Sequence, residues 1–136
     1  MNRDEIKKIL PHREPMLLVD EIYLGDDGKA YGKYTVTGDE WFIQGHFPGN
    51  PIVPGVIQCE MAAQTCAAML SGIIEGKTPL FTGINNVRFK KQIKPGNIIE
   101  FVCEIDKIKG PFYFAKGVSS VDGTLCMSGE FSFAVI

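Results

Sequence analysis

The clearest pattern in the chain is a long, nearly apolar stretch at residues 55–74 that is interrupted by polar side chains at helical spacing. Most of its residues are apolar, and many are strong helix formers. At about 100° per residue, Glu60, Gln64 and Ser71 fall on one narrow stripe. Because most other positions are apolar, the pattern predicts a central helix that is covered over most of its circumference.

After residue 79 the pattern changes to the alternation of apolar and polar residues that is typical of β-strands. Strands are predicted over residues 80–91, 98–108, 112–121 and 124–136, the last two joined by an Asp-Gly hairpin turn. Upstream, we expect a strand over residues 29–37 and a short helix over residues 4–10. One buried helix and several consecutive strands predict an α+β fold, with a curved antiparallel sheet wrapped around the helix.

Length and charge limit the functions that need to be considered. The 136 residues predict a single domain, residues 1–136. A net charge of -2 gives no reason to expect nucleic acid as a partner. Polar residues interrupt the longest apolar run, so no membrane insertion is expected. The first five residues lack the apolar core of a signal peptide, which predicts a cytoplasmic protein.

The cysteines give no indication of a metal or redox site. None of the four lies in a Cys-x-x-Cys pair, and the chain has only two histidines. Because zinc sites combine such ligands at regular spacing, we expect no metal. The cysteines are interpreted as small apolar core residues: Cys59, Cys66, Cys103 and Cys126.

Glu60 is the most unusual residue of the predicted helix, because it places a carboxyl group among apolar neighbours. Burial in such surroundings raises the pKa of a carboxyl group, which allows it to donate a proton near neutral pH. Gln64, one turn later, is expected to hold Glu60 by a side-chain hydrogen bond. A purely structural buried glutamate is the alternative.

His46 lies in a loop that contains Pro48, Pro51 and Pro54. Histidine can accept a proton at neutral pH, and a proline-rich loop restricts where its ring points. A histidine that only ties loop backbone together is the alternative. The combination of His46 with Glu60 and with the helix start at Gly55 favours a positioned base.

Gly55 begins the predicted helix, where backbone N–H groups are unpaired and the helix dipole is positive. Such a donor stabilises the enolate-like charge that forms when a proton leaves the carbon next to a thioester. Glu60 lies about 7.5 Å further along the helix, at about 1.5 Å per residue. Base, donor and acid together fit elimination of water from a 3-hydroxyacyl group, or the reverse reaction.

At four segments the sequence resembles the (3R)-3-hydroxyacyl-[acyl-carrier-protein] dehydratases of type II fatty acid synthesis. These segments are residues 10–20, 45–56, 60–64 and 87–96. The resemblance implies a hot-dog fold, in which a sheet wraps a long helix and two chains share one continuous sheet. It also implies a homodimer, and in many relatives a hexamer formed as a trimer of dimers.

The resemblance further implies a role for each candidate residue. His46 would be the base, and Glu60 of the facing protomer would be the acid that helps the hydroxyl leave. The Gly55 N–H would polarise the thioester carbonyl, and the Ile52 carbonyl would orient the His46 ring. The partner is the acyl carrier protein, whose phosphopantetheine arm delivers the substrate, and no metal or organic cofactor is implied beyond that arm.

Two positions depart from the family's usual sequence. Glu14 stands where an aromatic residue is common, and we expect this to change a surface contact. The order Glu60-Met61-Ala62-Ala63-Gln64 replaces Glu-Ala-Met-Ala-Gln. This is expected to move a bulky side chain near the acyl tunnel, so the acyl chain length stays open.

A cluster of basic residues stands out on this mildly acidic chain, and because carrier proteins are acidic it is a candidate docking surface. The alternative is a solvated strand face. The cluster comprises Arg88, Lys90, Lys91 and Lys94.

Three further functions remain open from the sequence. They are a bifunctional dehydratase and trans-2-cis-3 isomerase, a hot-dog thioesterase, and a non-catalytic acyl-binding subunit. The pathway, fatty acid or lipid A, is open as well.

Overall fold

Six antiparallel strands form one sheet, in the order β1-β2-β4-β5-β6-β3, in a computed structural model that describes residues 1–47 and 49–136. The strands are β1 (Glu21–Leu24), β2 (Ala30–Thr35), β3 (Pro79–Phe89), β4 (Ile98–Lys109), β5 (Phe112–Val121) and β6 (Thr124–Val135). The helices are α1 (Arg3–Ile6), α2 (Trp41–Gln44), α3 (Gly55–Thr65) and α4 (Ser71–Ile74), with a 3-10 turn (Cys66–Met69) between the last two.

The core lies between α3 and the inner face of the sheet, where α3 contacts β2, β4, β5 and β6. Polar residues of α3 that are buried there have partners. Ser119 on β5 donates a hydrogen bond to Gln58 Oε1 at 2.9 Å, and Thr65 donates to the Met61 carbonyl at 2.9 Å. Paired buried polar groups avoid the desolvation penalty of orphaned ones. The predicted α+β architecture, with a central helix covered on most sides, is confirmed.

The helix predicted over residues 55–74 is shorter than expected, because its regular α-helical part ends at Thr65. There the Thr65 hydroxyl and the Cys66 thiol both point back to carbonyls four residues earlier. Such side chains compete with the backbone for helix carbonyls. The next turn tightens to 3-10, and Leu70 leaves helical geometry with φ −123° and ψ 17°.

The strand predictions are accurate to within two residues, whereas the small N-terminal elements were not all found. β1 was missed because its four residues show no alternation, with only Ile22 buried. The apolar residues at positions 41–43 form α2. The first helix ends at Ile6, four residues before the predicted end.

The two edges of the sheet differ in character. β1 is short, which limits pairing with other chains. β3 is long, and four of its large apolar side chains are exposed: Leu80, Phe81, Ile84 and Phe89. A long apolar edge strand is a surface that pairs with another strand. Among the described residues, no helix is long and apolar enough to span a membrane.

Candidate active site

His46 follows α2, and its ring is held by the loop that leads to α3. Its Nδ1 atom lies 3.2 Å from the Ile52 carbonyl oxygen, so a proton on Nδ1 can be donated there. This hydrogen bond leaves Nε2 as the free acceptor, the atom that a general base needs. The role predicted for Ile52 is thus compatible with the geometry. Pro48, which the sequence suggested as a brace of this loop, lies outside the described residues.

Gly55 begins α3, and its backbone N–H has no acceptor within residues 1–47 and 49–136. Glycine is needed here for a reason that the sequence did not reveal. A Cβ at this position would lie 2.5 Å from the Phe89 ring, so the ring packs directly on the glycine backbone. The close neighbour of Gly55 is therefore an aromatic side chain.

His46 and Gly55 share an open cavity of about 480 Å³ beside the start of α3. One wall is formed by Phe89, the last residue of the edge strand β3, and by the segment after it. The lining includes His46, Ile52, Gly55, Phe89, Lys90 and Lys91. His46 and Gly55, the candidate base and the candidate backbone donor, therefore line one cavity, but Glu60 is not part of it.

Glu60 lies in the middle of α3, with about a fifth of its side chain exposed. The hydrogen bond expected from Gln64 is present, with Gln64 Nε2 donating to Glu60 Oε2 at 2.8 Å. The surroundings differ from the expected apolar environment, because the same oxygen also faces the imidazole of His12. The spacing of residues along the helix could not reveal this contact, because His12 lies outside the helix, in the N-terminal segment.

Three hydrogen bonds fix the orientation of the buried Gln64 amide. Its oxygen accepts from the Leu18 N–H at 2.8 Å, and its nitrogen donates to the Met16 carbonyl at 2.8 Å and to Glu60. If the amide were flipped, its oxygen would face the Met16 carbonyl and its N–H groups would face the Leu18 N–H. The backbone at residues 16–18 thus ensures that Glu60 receives an N–H.

His12 lies beside Glu60, although the sequence patterns did not select it as a candidate site residue. Its Nε2 lies 3.4 Å from Glu60 Oε2. Its Nδ1 is buried and has no hydrogen-bond partner in the described part of the chain. The available signal was that His12 is one of only two histidines and lies in a segment of the family pattern.

Glu60 and His12 line a second cavity of about 260 Å³, between α3 and the start of β3. Its other walls are mainly apolar, including Ala63, Leu80 and Phe81. Met61, expected near an acyl tunnel, is instead fully buried in the core and does not line this cavity. The two cavities share no lining residue, so a single chain keeps His46 and Glu60 apart.

The four basic residues of the predicted docking surface are all exposed. Lys90 and Lys91 line the His46 cavity, so part of the cluster lies at its mouth. Within the described residues, no carboxylate forms an ion pair with any of the four.

The four cysteines are buried free thiols, as expected of core residues. The side-chain hydrogen bond between Cys103 and Cys66, followed by burial, raises the pKa of the Cys103 thiol well above its ordinary value. In residues 1–47 and 49–136, no three His, Cys, Asp or Glu side chains are grouped closely enough to hold a metal ion.

Solved structures confirm the predicted hot-dog fold. The dehydratase heterocomplex ApeI:P from Xenorhabdus doucetiae superposes with a TM-score of 0.82 over 96% of this chain and 90% of that chain, at 19% identity. A hypothetical thioesterase with coenzyme A from Streptococcus pneumoniae superposes with a TM-score of 0.64 over 85% of this chain and 84% of that one, at 13% identity. At such identities the likeness establishes the fold alone.

Sequence comparison identifies the family. A model of the FabA-like domain matches residues 10–130. The 3-hydroxyacyl-[acyl-carrier-protein] dehydratase FabZ of Clostridium beijerinckii is 46% identical, over 99% of both chains. FabZ of Staphylococcus epidermidis is 44% identical, over 97% of this chain and 93% of that protein. This chain therefore belongs to the FabA-like domain family, and within it to the FabZ-type dehydratases.

Proposed function

We propose that the protein dehydrates (3R)-3-hydroxyacyl-[acyl-carrier-protein] to trans-2-enoyl-[acyl-carrier-protein], with an active site built by two copies of the chain. One observation carries the proposal. His46 and Glu60 lie in separate cavities that both border β3, one near its end and the other near its start. An antiparallel pair of β3 strands would bring the base of one chain to the acid of the other.

The edge strand β3 supports this dimer. Because paired antiparallel strands run in opposite directions, the end of one lies beside the start of its partner. Phe89 borders the His46 cavity at the end of β3, whereas Leu80 and Phe81 border the Glu60 cavity at its start. Pairing would also cover apolar side chains that a single chain leaves exposed.

In the proposed reaction, His46 Nε2 removes a proton from C2 of the 3-hydroxyacyl thioester. The electron pair of that C–H bond forms the C2=C3 double bond, and the C3–O bond breaks. The Glu60 carboxyl group protonates the departing hydroxyl, which leaves as water. The histidine ends with an extra proton and the glutamate without one, so proton exchange with solvent restores both.

Two backbone groups assist in this proposal. The Gly55 N–H donates to the thioester carbonyl, where negative charge develops as the C2 proton leaves. The start of α3 adds the positive end of a helix dipole. The Ile52 carbonyl keeps the proton of neutral His46 on Nδ1 and so keeps Nε2 available. Support comes from the 3.2 Å contact and from the Gly55 N–H, which has no acceptor among the residues that the structure describes.

We further propose that the substrate arrives on the phosphopantetheine arm of acyl carrier protein, with no metal or other organic cofactor. The FabZ relatives are named for carrier-linked substrates. Lys90 and Lys91 at the mouth of the His46 cavity are suited to an acidic partner. Activity that survives a strong chelator would support the cofactor proposal, and loss that added metal reverses would refute it.

The function is tested by hydration of crotonyl-[acyl-carrier-protein] and by the reverse dehydration, with the His46→Ala and Glu60→Gln proteins as controls. An inactive unsubstituted protein would refute the proposal and favour a non-catalytic acyl-binding subunit. Release of free carrier thiol would indicate a thioesterase. A cis-3 product from a ten-carbon substrate would indicate the bifunctional isomerase.

Assembly beyond the dimer and cellular location stay predictions. Light scattering coupled to gel filtration distinguishes a dimer from the hexamer expected by resemblance. Cell fractionation tests the expected cytoplasmic location.

A further inference from the structure

We propose that His12 is a positioning residue for Glu60, holding one carboxyl oxygen so that the other carries the proton given to the substrate. The inference rests on the proposed function, in which Glu60 is the acid. His12 acts through Glu60 rather than on the reacting atoms, so it adds a residue to the site without altering the reaction.

The contacts of the Glu60 carboxyl group are one-sided. Oε2 accepts from Gln64 Nε2 at 2.8 Å and lies 3.4 Å from His12 Nε2. In the described part of the chain, Oε1 has no hydrogen-bond partner. The His12 distance exceeds the usual range of about 2.7–3.2 Å. Catalytic hydrogen bonds are often long in a free enzyme and shorten when substrate binds.

This asymmetry decides where the acid proton sits. Once the His12 contact shortens, Oε2 accepts two N–H groups and cannot also carry the acid proton facing them, so the proton of the neutral carboxyl group lies on Oε1. When that proton leaves, the negative charge spreads to Oε2, where both donors then bind a charged acceptor. Hydrogen bonds to charged groups are the stronger ones. The His12 contact therefore strengthens during proton transfer, and removing it should lower kcat more than it changes KM.

The surroundings of His12 indicate which nitrogen carries its proton. Nδ1 is buried and has no hydrogen-bond partner among residues 1–47 and 49–136, so a doubly protonated ring would bury a charged N–H that lacks an acceptor there. A neutral ring with its proton on Nε2 avoids this and presents a donor to Glu60. The backbone is held as well, because the Arg13 guanidinium donates to the His12 carbonyl at 2.7 Å and to the Leu10 carbonyl at 3.0 Å.

The kinetic test compares two substitutions. His12→Leu removes the donor with little change in volume, whereas His12→Gln keeps an amide N–H that can reach Glu60. We expect His12→Leu to lower kcat about tenfold with KM changed less than about twofold, and His12→Gln to remain within about threefold of the unsubstituted protein. Unchanged kcat in His12→Leu, a loss confined to KM, or equal losses in both variants would overturn the proposal.

Melting curves show whether the two His12 variants are folded. If they are not, a spectroscopic test on the unsubstituted protein decides whether His12 donates to Glu60. Since the chain has two histidines, ¹⁵N-histidine labelling gives two ring systems, and His46→Ala assigns them. We expect His12 in the unsubstituted protein to be neutral with its proton on Nε2, and its ring signals to shift in Glu60→Gln. A proton on Nδ1, a doubly protonated ring, or no response to Glu60→Gln would refute the proposal. These spectra are recorded without substrate. If the protein is inactive but its spectra still show His12 in contact with Glu60, the proposed function is refuted and the His12 contact is not.

Discussion

The sharpest prediction concerns two inactive proteins that regain activity when they share a dimer. His46→Ala removes the base from one chain, and Glu60→Gln removes the acid from the other. Each protein alone should be inactive, because every site lacks one partner. If the site is shared between chains, a mixed dimer contains one site with both native side chains and one site with neither.

The geometry of β3 explains why one chain cannot complete the site. The two cavities border the strand near Phe81 and near Phe89, eight residues apart in sequence. At about 3.3 Å per residue, these positions are about 26 Å apart along the strand. Random exchange of equal amounts makes half of the dimers mixed, and half of the sites in a mixed dimer are intact. Restored activity should therefore be about a quarter of that of the native protein.

The assay follows hydration of crotonyl-[acyl-carrier-protein] before and after subunit exchange, which differently tagged chains verify. The His46→Ala and Glu60→Gln double variant mixed with native protein is the matched control, because a mixed dimer of that kind contains no site with both native groups under the shared-site arrangement. If verified exchange leaves the two single variants inactive together, the two-chain site is wrong.

Three further predictions follow from the same structure. Phe131→Ala should lower the free energy of unfolding by about 3–5 kcal/mol in chemical denaturation, because the ring fills space that Gly117 and Gly129 leave open. Replacing Lys90 and Lys91 by Glu should raise KM at least about tenfold for a carrier-linked substrate in steady-state kinetics, because the changed charge repels an acidic carrier. The pKa of Glu14 is lowered from 4.5 to about 2, mainly by its hydrogen bond with Lys7. The ionised Glu14 carboxylate therefore stabilises the fold above about pH 4.5, and this stabilisation is lost as the pH falls toward 2. The melting temperatures of the Glu14→Gln and native proteins should converge near pH 2.

Each of these predictions has a control. Phe112→Ala on the exposed end of β5 should change the free energy of unfolding by less than about 0.5 kcal/mol. A small thioester substrate without the carrier should show an unchanged KM in the lysine variants, and Lys109→Glu should leave carrier kinetics unchanged. A constant Glu14→Gln difference from pH 7 to pH 2 would contradict the ion-pair explanation.

The sequence by itself determined the sheet and suggested the candidate site residues His46, Gly55 and Glu60. Alternation of apolar and polar positions is a local signal, so the four long strands were located to within two residues. His46, Gly55 and Glu60 were found because each residue type is unusual in its local setting. The fold and the family followed from the same patterns and from the resemblance, and the comparisons confirm both.

Only the tertiary structure decided what lies beside those residues. The end of α3 at Thr65 depends on side chains that compete for carbonyls, and the missed strand β1 gains its order from pairing with β2. Phe89 packs on Gly55, and His12 lies beside Glu60, although the residues of each pair are dozens of positions apart in the sequence. Periodicity reports which face of an element is buried, but it does not report which distant side chain covers that face. For this reason the sequence indicated Glu60 and His46 as candidate acid and base, whereas the folded chain showed that the two residues line different cavities.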